Sequence, residues 1–121
     1  MQRRKLQETL RELNQVQNTM RQKEQMLNTP PENVEDCCCV SALTCFRANL
    51  QVQFNLTQGS PRKLYRSLKH SLTVKALDFC NTRSTTTSCQ TCDSHPKEEA
   101  GVFFSRLKSL IQRGITKLSE D

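Results

Sequence analysis

The seven cysteines constrain the fold of this chain more than any other feature of its 121 residues. They form two groups, which are Cys37, Cys38, Cys39 and Cys45, then Cys80, Cys89 and Cys92. Cys38 and Cys45 lie seven residues apart in a segment predicted to be helical, so about 10.5 Å separates them along one helix face. Cys89 and Cys92 lie three residues apart in a Ser/Thr-rich segment predicted to be extended, where three residues span about 10 Å. The matched spacings favour two side-by-side disulfide bonds between a helix and a loop, a framework typical of small secreted proteins.

Structural disulfide bonds explain the cysteines better than a zinc site or a redox site does. The adjacent thiols of residues 37–39 rarely give tetrahedral geometry, and the paired CxxC spacing of zinc sites is absent. The Cys89-Gln90-Thr91-Cys92 sequence lacks the helix N-terminus and βαβ setting of a redox site. Because a cytosolic chain would keep its thiols reduced, we expect a secreted, extracellular protein.

An odd number of cysteines leaves at least one thiol unpaired or bonded to another molecule. Cys39 shares a predicted apolar helix stripe with Leu43, Phe46 and Leu50. A buried thiol packs there as a small apolar side chain, so we expect Cys39 to be the free thiol. The other six are expected to pair as Cys38–Cys89, Cys45–Cys92 and Cys37–Cys80.

Four amphipathic segments are predicted to be helices, at about 3–27, 35–54, 61–79 and 98–118. Pro30 and Pro31 follow the first segment, and Ser60-Pro61 begins the third as an N-cap with proline at the first helical position. Residues 50–56 alternate with a period of two, which leaves an extended segment there as an alternative. Four such helices bury their apolar stripes against each other, so we predict an all-α, disulfide-stabilised four-helix bundle that forms a single domain over residues 1–121.

The formal net charge of +6 favours an acidic partner. Nucleic acid is disfavoured, because the chain has one Tyr, no Trp and no recognisable binding motif. A receptor surface or a glycosaminoglycan such as heparan sulfate fits the charge better. No run of 18 apolar residues occurs, so we expect no membrane insertion.

Nothing in the sequence favours catalysis. His70 and His95 are single and far apart, so no metal site is expected, and no Ser/His/Asp order, paired-carboxylate cluster or glycine-rich phosphate loop occurs. We expect no enzyme activity and no cofactor. Asn55-Leu56-Thr57 is an N-glycosylation sequon, so Asn55 is a candidate glycosylation site.

Several motifs together resemble the short-chain four-helix cytokines of the common gamma chain family. Within that family the interleukin-21 branch is the nearest and the interleukin-15 and interleukin-2 branch is the alternative, since Cys38-x-Val40-Ser41-Ala42-x-x-Cys45-Phe46 also resembles the latter. The motifs similar to the interleukin-21 branch are Pro31-Glu32-Asn33-Val34-Glu35, Cys38-x-x-Ser41-Ala42-Leu43-x-Cys45-Phe46, Cys89-x-x-Cys92-Asp93-Ser94 and Phe103-Phe104-Ser105-Arg106-Leu107-Lys108-Ser109-Leu110-Ile111-Gln112.

The resemblance implies an up-up-down-down bundle with Cys38 bonded to Cys89 and Cys45 to Cys92. It also implies a secreted, monomeric cytokine that joins a private receptor chain of the interleukin-21 type to the common gamma chain on lymphocytes. Receptor-bound Janus kinases would then activate STAT proteins in an immune response. Cys37, Cys39 and Cys80 are additional to the family pattern.

The resemblance also implies two receptor-binding surfaces. The gamma-chain surface falls on Gln112 and Ile115 of the last helix, and Gly114 beside them is expected to let a partner's backbone approach closely. The private-receptor surface falls on the first and third helices, at Arg4, Lys5, Glu8, Arg11, Glu12, Arg62, Ser67 and Lys69.

Alternative interpretations stay open at this stage. The charged residues of the first helix also fit a solvated face with weak helical ion pairs, and Ile115 also fits a core position. A cationic antimicrobial or heparin-binding helical protein is the other functional class.

Overall fold

Helices account for most of the residues that the computed structural model describes, which are 2–20, 26–53, 59–78 and 89–119. This part of the chain contains five α-helices and one pair of short strands, which agrees with the predicted helical class. In chain order the elements are α1 (Gln2–Met20), β1 (Met26–Asn28), α2 (Cys39–Gln53), α3 (Ser60–Lys69), α4 (Ser71–Leu77), β2 (Lys97–Glu99) and α5 (Ala100–Ser119).

One hydrophobic core joins all five helices. Each helix buries residues at three- and four-residue spacing, which is the pattern that makes a helix amphipathic. Phe46 of α2 meets Phe103 of α5 edge to face, with 5.2 Å between the ring centroids. The largest fully buried side chains are Phe46, Phe103, Phe104, Leu6, Leu13, Leu27, Leu43, Leu50, Leu64, Leu68, Leu77 and Leu107.

Contacts between side chains give the relative directions of the helices. Leu6, near the start of α1, packs at Gly114 near the end of α5, so these helices run in opposite directions. Arg113 of α5 binds Asp36, just before α2, while Phe46 meets Phe103, so α2 and α5 are also antiparallel. The α3 and α4 helices run opposite to α1, because Ser67 contacts Glu12 and Leu77 packs near Leu6.

The prediction that the first helix reaches residue 27 is wrong. Leu27 is buried, but it lies in β1, which pairs with β2 in antiparallel register with Leu27 opposite Glu98. The last helix was predicted from residue 98, yet Glu98 and Glu99 belong to β2 and α5 begins at Ala100. A pairing between residues about 70 positions apart leaves no trace in the local hydrophobic pattern, so the sequence favoured helix at both places.

Two other helix boundaries also differ from the prediction. The second helix begins at Cys39, after a short 3₁₀ turn over Asp36–Cys38, and not at residue 35. The single helix predicted over 61–79 is interrupted at His70, whose backbone is extended (φ −60°, ψ 140°). The His70 imidazole Nδ1 accepts a hydrogen bond from the Leu72 N–H (3.1 Å) and thereby caps α4. The predicted ends near residues 54 and 79 lie outside the described residues.

Candidate functional site

Two disulfide bonds attach residues 89–92 to the first half of α2 and to the 3₁₀ turn just before it. They are the predicted pairs, Cys38–Cys89 with 5.5 Å between the Cα atoms and Cys45–Cys92 with 5.2 Å. Cys37 is also disulfide-bonded. Its predicted partner, Cys80, lies outside the described residues, as does the glycosylation candidate Asn55.

Cys39 is a free, fully buried thiol, as its position on the apolar stripe predicted. Burial raises the pKa of the Cys39 thiol, Asp36 adds to this rise, and the positive charges of Arg113 and Lys117 oppose it. The thiol donates a weak hydrogen bond to the Glu35 carbonyl oxygen (3.5 Å). A neutral thiol without access to solvent is unreactive, so Cys39 packs in the core and is not a chemical site.

Hydrogen bonds around Asn28 hold the disulfide-bonded loop against β1. The Asn28 side-chain amide donates to the His95 carbonyl oxygen (2.8 Å), and the Asn49 amide donates to the Asn28 carbonyl oxygen (3.3 Å). The Thr29 N–H donates to the Pro96 carbonyl oxygen (3.0 Å). These bonds continue the strand pairing, so the two long connections and α2 form one fixed unit beside α5.

The structure brings together the two segments on which the private-receptor residues were predicted. We call this surface the α1–α3 face; it comprises Arg4, Lys5, Glu8, Arg11 and Glu12 of α1, with Arg62, Ser67 and Lys69 of α3. The Ser67 hydroxyl donates to the Glu12 carboxylate and joins the two helices directly. Lys5 and Glu12 are half-buried, and the exposed members are Arg4, Glu8, Arg11, Arg62 and Lys69.

Ser67 does not belong to the accessible part of this face. It is only 3 % exposed, so the prediction of direct contact with a partner at Ser67 does not fit its position. A serine is small enough to be buried once another helix accepts its hydroxyl, and Glu12 is that acceptor. Its role is to fix Glu12 and the spacing of α1 and α3. Lys5 and Glu8 form an ion pair (3.4 Å) that is exposed at Glu8 and therefore contributes little to stability.

The last helix exposes one of its two predicted contact residues. Gln112 is exposed, whereas Ile115 is half-buried and packs against the core. The expectation that Gly114 admits a partner's backbone is wrong, because Gly114 is buried between helices. A Cβ atom there would lie 2.7 Å from Leu77 Cδ2 and 2.8 Å from Leu6 Cδ1. The missing side chain permits close packing of α5 on α1 and α4.

The opposite flank of α5 binds the segment between β1 and α2, an arrangement that sequence reasoning missed. Arg106 donates to the Pro30 carbonyl oxygen (3.2 Å), and Ser109 donates to the Glu32 carboxylate (3.2 Å). Arg113 donates to the Val34 carbonyl oxygen and to the Asp36 carboxylate, and Lys117 Nζ lies 3.6 Å from the second Asp36 oxygen. The recurrence of these four α5 side chains on one helix face was visible in the sequence, but their partners were not.

A second missed feature is the run of cations on α3. Lys63 and Arg66 are exposed, as Arg62 and Lys69 are, and α3 contains no acidic residue. We call these four residues the α3 basic face. Their spacing was the available signal, because Leu64 and Leu68 fix the opposite side of the helix in the core.

Within the described ranges, no group of three or more His, Cys, Asp and Glu side chains is arranged to hold a metal ion. None of the helices described is both long enough and apolar enough to cross a membrane. The sequence matches no protein-family model and no curated protein.

Proposed function

We propose that this protein is a secreted four-helix cytokine of the interleukin-21 type, which acts by binding two receptor chains and has no enzyme activity. The private receptor chain would bind the α1–α3 face, and the common gamma chain would bind the exposed side of α5 around Gln112. The two receptor chains would thus be brought together on one monomer, and their Janus kinases would activate STAT proteins.

The helix directions support a bundle of the up-up-down-down kind. The α1 and α2 helices are each antiparallel to α5, so they run the same way. The α3 and α4 helices act as one interrupted third helix that runs opposite to α1. A bundle in which the first two helices run one way and the last two run the other way requires long crossover connections. The segments that carry β1 and β2 fit that role.

The disulfide bonds support an extracellular location. Bonds such as Cys38–Cys89 and Cys45–Cys92 persist in oxidising compartments and are rare in the cytosol. A helical chain of this size has a modest core, and such bonds increase its stability.

The observation that carries the proposal is the contact between Ser67 and Glu12. The resemblance assigned private-receptor residues to two segments about 50 positions apart in the sequence. The two helices are in contact, and they expose charged side chains at Arg4, Glu8, Arg11 and Lys69. Such a patch suits electrostatic steering of a negatively charged receptor.

The primary experiment is binding of the oxidised protein to three receptor ectodomains of its own species. These are the private interleukin-21 receptor, the beta chain used by interleukin-2 and interleukin-15, and the common gamma chain. Saturable binding to the private receptor, followed by recruitment of the gamma chain, supports the proposal. Binding to the beta chain in place of the private receptor would assign the protein to the sister branch, and binding to none would overturn both assignments.

Two variants separate the proposed surfaces. Charge reversal by Arg4→Glu with Arg11→Glu should weaken private-receptor binding at least tenfold, because two exposed cations of the α1–α3 face become repulsive. Gln112→Asp should leave private-receptor binding unchanged and reduce gamma-chain recruitment and STAT phosphorylation. Lys97→Glu, on the exposed end of β2, is the control for a change of charge away from both surfaces.

A further inference from the structure

We propose that the α3 basic face is a binding site for sulfated glycosaminoglycan chains. The inference starts from the charge and packing of α3 and does not depend on the receptor assignments. Four cations, Arg62, Lys63, Arg66 and Lys69, lie within eight residues of one helix and are all exposed. Seven residues of helix span about 10.5 Å, so the cations form a short linear array suited to a linear polyanion.

Three of the four cations, Lys63, Arg66 and Lys69, have no anionic partner among the residues that the structure describes. The α3 helix contains no carboxylate. Within the ranges that the structure describes, Lys63, Arg66 and Lys69 form no salt bridge, in contrast to Lys5, Arg113 and Lys117. Positive charges held close together repel each other, and a bound anion reduces that repulsion. The site is therefore electrostatically prepared for an external anion.

Neighbouring contacts hold part of the array in place. The Lys69 ammonium lies over the Tyr65 ring, 5.5 Å from its centroid. The Tyr65 hydroxyl donates to the Gln51 side-chain oxygen of α2 (3.2 Å), which fixes the ring. On the inner side, Leu64 and Leu68 are fully buried, so rotation of the helix cannot turn the cations inward. The cations are presented on a rigid support, which lowers the entropy lost on binding.

The location and composition of the protein favour a sulfated glycan over other polyanions. Disulfide bonds are typical of extracellular proteins, and sulfated glycans are the abundant linear polyanions outside cells. Sulfate oxygens accept hydrogen bonds from guanidinium and ammonium groups in the way that phosphate oxygens do. Tyr65 is the only aromatic residue on α3 and its hydroxyl and face are already in contact, so no stacking platform is left for nucleic-acid bases.

The test is binding of the full-length oxidised protein to immobilised heparin at several salt concentrations. The double variant Arg66→Gln with Lys69→Gln should bind roughly 30-fold more weakly at low salt, because each cation beside an anionic surface contributes about fivefold and the two factors multiply. The matched control is Lys97→Gln with Lys108→Gln, which removes the same charge from β2 and α5 and should bind within about twofold of the unmodified protein. Circular dichroism establishes that both variants are folded.

Each alternative has its own outcome. Equal losses in the two double variants would overturn the site, because net charge alone would then explain binding. Undiminished binding to fully desulfated heparin would overturn the role of sulfate. Tighter binding to phosphatidylserine vesicles or to duplex DNA than to heparin would replace the glycan by another class of polyanion. Loss of receptor binding in the separate assay of the proposed function would leave this result unaffected, since no receptor is present.

Discussion

The two flanks of α5 are held by different kinds of contact, and the difference is visible at two consecutive residues, Arg113 and Gly114. Gly114 has no side chain and lies between Leu6 and Leu77, so this flank is an apolar seam closed by close packing. Arg113 reaches across the other flank to the Val34 carbonyl oxygen and the Asp36 carboxylate, which is partly exposed to solvent. The stability of the seam depends on the volume of its side chains, and the stability of the polar flank depends on charge and hydrogen-bond geometry.

This contrast shows how the stability of a small helical protein is divided between apolar packing and polar contacts. A close-packed seam tolerates no added atom, because protein interiors have little free volume. A partly exposed ion pair contributes little and weakens with salt. The segment bound by the polar flank leads directly to Cys38 and the start of α2, so the disulfide bonds also hold this segment in place. We expect substitutions on the two flanks of α5 to change stability by different amounts and with a different dependence on salt.

Removal of a disulfide bond should be the most damaging change on the polar side. Cys45→Ser with Cys92→Ser opens the ring that residues 38–45 and 89–92 form with the two bonds, while Cys38–Cys89 remains. We expect the free energy of unfolding to fall by about 2–4 kcal/mol, because the unfolded chain regains conformational entropy. Urea denaturation followed by circular dichroism measures this change. If the free energy of unfolding falls by less than it does in Arg113→Met, the bond contributes less to the stability of this side than the polar contacts of Arg113 do.

A larger residue in the seam should have the next largest effect. Gly114→Leu should lower the free energy of unfolding by about 1–3 kcal/mol or more, because the first added atom already overlaps Leu6 and Leu77. Gly101→Ala is the matched control on α5, since no atom beyond the local backbone of the helix lies within 4 Å of the added Cβ. That substitution should be neutral or stabilise by up to about 1 kcal/mol through helix propensity. Equal effects at the two glycines would contradict the close packing of the seam.

The polar flank should respond to salt, and the seam should not. Arg113→Met is expected to lower the free energy of unfolding by about 1 kcal/mol at low salt and by less at high salt, because part of the lost interaction is a screened ion pair. Lys117→Met, which removes the longer and more exposed contact to Asp36, should cost less. Urea titrations at two salt concentrations measure both variants. A salt-independent loss at Arg113 would mean that its packing matters more than its charge.

The smallest expected effect is a pH dependence from the buried Cys39 thiol. Its pKa is raised in the folded protein, so the unfolded chain loses this proton at a lower pH than the native state does. The contribution of Cys39 is therefore fully present below the unfolded pKa and is lost as the pH rises through the folded pKa. Stability measured between neutral and alkaline pH should fall less steeply in Cys39→Ala than in the unmodified protein. Identical slopes would show that Cys39 does not contribute.

The features that the sequence predicted correctly depend on local repetition. Cys38, Cys45, Cys89 and Cys92 have spacings that match across the two segments, and they form the two predicted bonds. Leu6, Leu43 and Leu107 recur with helical periodicity and lie in the core. Arg4, Arg11 and Gln112, which the resemblance assigned to the receptor-binding surfaces, are exposed. Whether they contact receptors stays a prediction.

The features that the sequence did not reveal depend on partners far away along the chain. Leu27 continued a helical pattern, but its backbone pairs with Glu98. Ser67 was predicted to lie on the surface, but its hydroxyl donates to Glu12 and it is buried. Gly114 was predicted to lie at an interface, but it packs against Leu6 and Leu77. His70 interrupts a helix because its own side chain caps the next one. In each case tertiary contacts outweigh the local preference.

The disulfide pairing also has a mechanical consequence. Tension applied between α1 and α5 would reach the Cys38–Cys89 and Cys45–Cys92 bonds without passing along α3 and α4. The start of α1 lies beside the end of α5, and pulling these ends apart would separate the pair progressively from Leu6 and Gly114 onward. Opening by such peeling needs less force than sliding two helices past each other. Under load α1 and α5 would therefore separate from each other before the start of α2 separates from residues 89–92.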